Sequence, residues 1–202
     1  MSIPRRLGLT LAALAALGAT GTSRPPEPAE PLRALTELSA QRLATADQVA
    51  AVKWAGGDPI DDPAREREVI RRARVEARRA GADPDAVARV FRDQIDANKL
   101  VQRALHTRWR ADPDAAPTDA SGTAETPETP EGSIAGELSA IRAEIDRLNA
   151  DLLTTLTGLT PGPDCPALRG RALDETGDRR QLDPLHTHAL GHALRSLCPT
   201  AG

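Results

Sequence analysis

Residues 32–54, LRALTELSAQRLATADQVAAVKW, decide the fold. Leu35, Leu38, Val49 and Val52 recur at three- and four-residue steps, the period of one face of an α-helix. Two cations share that face: Arg42 lies four positions after Leu38 and seven before Val49, and Lys53 lies four after Val49. They are eleven positions apart, about three helical turns. Taking an unpaired cation out of water is costly, so two on one core stripe imply an anion between them. That anion need not belong to the protein. For either cation alone, the competing reading is a side chain that lies along the apolar surface and lifts its head into water.

The rest of the chain fits a helical core around this segment. Of 202 residues, 40% are hydrophobic but only 1% aromatic, with a single Phe and no Tyr. The core must then be built from Ala, Leu, Val and Ile, which favours closely packed helices in one domain. The formal net charge is −3, with Arg, Asp and Glu interspersed along the sequence. That pattern argues against a nucleic-acid-binding surface, which needs a basic stripe.

Arg5 and Arg6, the apolar run Leu7 to Leu17, and the small residues Ala19 and Gly21 read as a secretory signal over residues 1–23. Residues 24–30 read as a flexible tether and 31–202 as a single all-helical domain. The apolar run is short for a bilayer span and no second one follows, so the expected product is exported, secreted or periplasmic, and free of the membrane after cleavage. In such a compartment the pair Cys165 and Cys198 suggests a disulfide; two independent buried thiols are the alternative.

Helix signals recur along the chain. Gly56 and Gly57 stop the first helix; Asp62 with Pro63 and Asp83 with Pro84 open the second and third, expected to end near Arg79 and Arg110. Val69, Ala73 and Ala77 mark the inward face of the second, with Arg65 and Glu66 at its border. Val87, Phe91, Ile95 and Leu105 mark that of the third, where Asn98 and Gln102 fill the gaps and require partners. Residues 111–132 are rich in Pro, Thr, Ala and acids and read as a disordered linker. A fourth helix begins near Ser133 with Ile134, Leu138, Ile141, Ile145, Leu148 and Leu152 on its stripe and Arg142 at the stripe's edge. A weaker helix around Ala167 to Leu173 and a last one from Asp183 to Leu197 make about six. His188 and His192 are four apart, but no further ligand stands at metal spacing, so no metal site is expected.

Arg42, Lys53, Arg65, Glu66, Asn98, Gln102 and Arg142, in that order, resemble the all-helical, AroQ-type chorismate mutases, and the signal with two late cysteines is similar to their secreted gamma subclass. The motifs are RLxxADxVAAxKW (Arg42 to Trp54), PIDDxxR (Pro59 to Arg65), VFRDQI (Val90 to Ile95) and LSAIRAEIDxLN (Leu138 to Asn149). The resemblance implies that Arg42 and Arg142 hold the carboxylates of chorismate, with Arg65 adding positive field. It implies that Lys53 and Gln102 flank the breaking ether oxygen, that Asp62 and Glu66 lie near the hydroxyl, and that Asn98 touches a carboxylate. It further implies no metal or organic cofactor and a homodimer with each site inside one chain. No nucleophile or proton relay is visible, as suits a unimolecular rearrangement. The alternative from another class is an inactive secreted helical interaction protein on the same scaffold.

Overall fold

The computed structural model describes residues 29–117 and 134–198. The expected signal segment, most of the tether and linker residues 118–132 lie outside the described residues. Among the described residues the chain is all α, with six helices and a short 3-10 turn at Pro113–Ala115. The helices are α1 (Ala29–Gly56), α2 (Pro63–Arg79), α3 (Pro84–Ala111), α4 (Ile134–Thr157), α5 (Cys165–Arg180) and α6 (Pro184–Ala193).

Three Asp-Pro pairs start helices in the same way. Side chains of Asp62, Asp83 and Asp183 accept from the backbone N–H groups of Arg65, Asp85 and His186 at 3.0, 2.8 and 2.8 Å, and each following proline takes a first-turn place that needs no donor. Gly57 and Gly81 adopt φ of 66° and 73° just past α1 and α2, a left-handed conformation that glycine enters at little cost.

α1 runs through the middle and packs against α3, α4, α5 and α6, while α2 lies on α3. Its polar residues Thr36 and Ser39 are therefore fully buried, each returning its hydroxyl to the carbonyl four residues earlier at 2.8 Å. Small residues make this crowding possible: Ala40, Ala46, Ala97, Ala189 and Ala193 form one core cluster with Leu43, Val101 and Leu190 where α1, α3 and α6 meet. A second cluster joins Leu35, Val69, Ala73, Phe91, Ile95 and Leu152 to the Cys165–Cys198 disulfide. A third, Val49, Val52, Leu138 and Ile141, seats α4 on the C-terminal half of α1.

Several expected boundaries shift. Ala29 and Glu30, assigned to the tether, open α1, and Ala111, assigned to the linker, closes α3. α5 is longer and α6 shorter than their sequence signals. Ile134, expected on the inward stripe of α4, is 42% exposed.

Candidate active site

α1, α2, α3 and α4 enclose a cleft of about 100 Å³. Arg42, Lys53, Asp62, Arg65, Glu66, Asn98, Gln102 and Arg142 all line it, so the fold gathers every site residue expected from the sequence. Val49, Ile60, Val69, Ile95, Leu138 and Ile145 supply apolar walls. Lys99, not anticipated, also lines it.

Arg42 is 4% exposed and Lys53 6%, which places both cations inside, as their register on α1 requires. Arg42 donates from Nε to Asn149 Oδ1 at 2.8 Å and from Nη1 to the Gln94 carbonyl at 2.9 Å. Neither acceptor is an anion. Loss of water pulls its pKa down to about 10, with Asp146 opposing and Arg65 reinforcing that shift. Two bonds leave three of the five guanidinium N–H donors for a ligand.

Lys53 donates from Nζ to the Ile60 carbonyl at 2.6 Å. Burial lowers its pKa from the ordinary lysine value; Asp62 counters this and Arg142 adds to it. Arg142 donates from Nη2 to Asp62 Oδ2 at 2.9 Å, while Asp62 Oδ1 caps α2. Asp62 thus braces the helix start and supplies the carboxylate that Arg142 holds.

α4 organises the cations of its neighbours. Asp146 and Asn149 follow Arg142 by four and seven positions on one helical face. Asp146 pairs with Arg65 of α2, and Asn149 takes the Nε–H of Arg42 from α1. Glu66 accepts from Lys99 Nζ through both oxygens at 3.0 Å, so its charge is already matched.

The two buried amides form a pair. Gln102 Nε2 donates to Asn98 Oδ1 at 2.6 Å, and Asn98 Nδ2 reaches only long contacts, 3.4 Å to Thr45 Oγ1 and 3.5 Å to the Arg42 carbonyl. Gln102 Oε1 is buried without a partner. An orphaned buried acceptor is costly, so this amide is poised for a group not present in the free chain.

Five cations and two carboxylates line the cleft, and Asp146 behind Arg65 offsets one more cation, which leaves an excess of two positive charges. Such a site suits a small dianion with further polar groups. Among the described residues no group of three or more His, Cys, Asp or Glu is placed to hold a metal ion.

The sequence profile of the family described as chorismate mutase type II matches residues 33–103, the span that carries Arg42, Lys53, Asp62, Arg65, Glu66, Asn98 and Gln102. Over 167 residues the chain is 39% identical to a secreted chorismate mutase of Mycolicibacterium smegmatis, an alignment covering 81% of this chain and 84% of that one. It is 35% identical over 167 residues to a secreted chorismate mutase of Mycobacterium tuberculosis, covering 81% and 76%. The crystal structure of a chorismate mutase from Burkholderia phymatum superposes with a TM-score of 0.70 at 34% identity, covering 86% of this chain and 99% of that one. With the fold, the disulfide and the cation-lined cleft in place, these matches put the chain in the chorismate mutase family, on the type II, all-helical scaffold.

Proposed function

We propose that the cleft binds chorismate and rearranges it to prephenate by electrostatic stabilisation of a pericyclic transition state. The observation that carries this reading is Arg42, buried and hydrogen-bonded to no carboxylate, in a cleft with excess positive charge. A scaffold freed of catalytic duty could replace such a cation with an apolar residue and gain stability. Its retention favours catalysis over an inactive interaction protein.

Chorismate carries two carboxylates and must adopt a compact conformer before its ether bond breaks. Arg42 and Arg142 hold the carboxylates, with Arg65 close by and Asn98 as a further donor. The substrate carboxylate replaces Asp62 on Arg142; Asp62 keeps its capping role and, with Glu66, borders the substrate hydroxyl. Fixing the two reacting ends converts a rare conformer into the bound one. Negative charge then grows on the ether oxygen, where Lys53 stabilises it with little reorganisation.

Gln102 completes this contact by turning over together with Asn98. After both amides rotate, Asn98 Nδ2 donates to Gln102 Oε1, the Thr45 hydroxyl turns from the Arg42 carbonyl to donate to Asn98 Oδ1, and Gln102 Nε2 stands where its unpartnered oxygen lies in the free chain. The Gln102–Asn98 bond is retained with its roles exchanged, and the ether oxygen meets a donor. No proton leaves a protein group at any step.

The chain is exported through residues 1–23, and each cleft is built within one chain, as in the homodimer that the family resemblance implies. Support comes from the signal-like N-terminus, from two relatives named secreted, and from four helices of a single chain supplying the cleft.

The test is calorimetric binding of a dicarboxylate transition-state analogue. Arg42→Ala and Arg142→Ala should each weaken it by roughly 1.5 to 3 kcal/mol, the range for a charge-assisted hydrogen bond. The free Arg42→Ala protein should remain folded. A large fall in melting temperature with unchanged affinity would make these arginines structural and the reading wrong.

A further inference from the structure

Beside the cleft, and sharing Glu66 and Ile95 with it, an open trough of about 810 Å³ runs along the seam between α2 and α3. Arg67, Arg71, Arg74 and Arg78 line it from α2, one per helical turn, and Arg92 lines it from α3. The charges interspersed in the sequence conceal this row, because Glu68 and Glu76 lie between the arginines in order but not along the trough. Arg71 and Arg74 are held by Glu68 and Asp85. Among the described residues, Arg67, Arg78 and Arg92 have no carboxylate partner. The trough's two carboxylates, Glu66 and Asp96, are already engaged by Lys99 and Arg195. A strip with three unpaired arginines therefore stands on a chain whose net charge is −3.

The floor differs from the rim. Ile70, Val75 and Ile95 form it, so the trough offers an apolar line flanked by guanidinium forks. We propose that this trough docks an acidic amphipathic helix of a protein partner. A helix repeats every 5.4 Å, so one carrying an acidic residue per turn matches arginines spaced one per turn over about 16 Å. Arg67, Arg78 and Arg92 can each take a carboxylate in bidentate fashion, Arg71 and Arg74 can share one with Glu68 and Asp85, and aliphatic side chains between the acids cover the floor. A glycan or nucleic acid would use the arginines and leave the floor bare, and a flat bilayer cannot reach a recessed floor. None of the five arginines lines the catalytic cleft.

The probe is a synthetic helical peptide with Glu once per turn and Leu beside each Glu, titrated into the full chain at several salt concentrations. A shuffled peptide of equal composition and heparin serve as comparisons. The ordered peptide should bind roughly tenfold or more tightly than either, and the triple variant Arg67→Gln, Arg71→Gln, Arg78→Gln should lose at least about that factor. Arg92→Gln, on the other wall, should weaken binding on its own. Unchanged chorismate turnover in both variants certifies an intact fold. Equal binding of the shuffled peptide or heparin, no binding, or undiminished binding by the variants would overturn the proposal. Self-association of the parent that the triple variant abolishes would also overturn it, since the occupant would then be a second copy.

Discussion

In the proposed site Gln102 stands where a glutamate could perform the same task only when protonated. Its amide donates at every pH, so turnover should stay nearly constant across neutral pH and fall only as Lys53 loses its proton, at a pH below the ordinary lysine value because burial lowers that pKa. Gln102→Glu should shift the optimum to acid and depress activity at pH 7, because an ionised carboxylate faces the growing oxyanion. Matching steady-state pH profiles for parent and variant would take Gln102 out of the site. Arg42 and Lys53 were legible in the sequence because each interrupts an apolar helical stripe, where a charge is conspicuous. Arg65 and Arg142 were legible only through the family's spacing, since half-exposed arginines at a helix border are commonplace. Asp146 and Asn149 stand in the motif LSAIRAEIDxLN but suggest no role there for the same reason, although their positions at four and seven after Arg142 place them on its face. Lys99 reads as an ordinary surface lysine until α2 brings Glu66 against it.

Among the elements, α6 is tied to α1 by His186, whose ring lies 3.0 Å from Asp183 and 3.1 Å from Asp47. These carboxylates, Asp47 foremost, raise the histidine pKa to about 9 against the cost of burial. A raised folded-state pKa gives stability that is fully present below about 6.5 and is lost as pH rises through about 9. Both carboxylates are about half exposed, so solvent screening reduces the effect to roughly 1 kcal/mol. Urea denaturation of His186→Gln should show that loss at pH 6 and little difference from the parent near pH 10; an equal difference at both would refute the linkage. Existence and order of the helices could be read from Asp-Pro starts, glycine stops and apolar periodicity. The extent of α5 could not, because Gly170, Gly177 and a run of charges weaken its local signal. Packing on α1 and ion pairs from Arg179 and Arg180 to Glu37 and from Arg33 to Glu175 hold it. α6 stops at Ala193 because the chain must turn: Asp93 accepts from Arg195 Nε at 2.7 Å and from the Ser196 N–H at 2.8 Å, bringing Cys198 to Cys165. Burial of α1 on several sides is likewise a tertiary property that one-faced periodicity does not reveal.

For the whole molecule, the disulfide closes a loop of 33 residues and joins the start of α5 to the chain after α6. In the chain-entropy treatment this stabilises the fold by about 3 to 4 kcal/mol. Neither cysteine lines the cleft. Cys165→Ser combined with Cys198→Ser should lower the melting temperature while the folded fraction retains its turnover; a parallel loss of kcat at a temperature where the variant is fully folded would tie the bridge to the chemistry. In the proposed reading the chemistry belongs to the cleft, which α1, α2, α3 and α4 line with cations and the cysteines do not reach.

Steady-state consumption of chorismate by the purified chain lacking residues 1–23, with prephenate identified as product, tests this account most directly. The parent should turn over at neutral pH without added metal or cofactor, and Lys53→Met should fall by roughly 10²- to 10³-fold, the usual cost of removing one oxyanion donor. A folded parent that leaves chorismate untouched, or a Lys53→Met variant as fast as the parent, would contradict it.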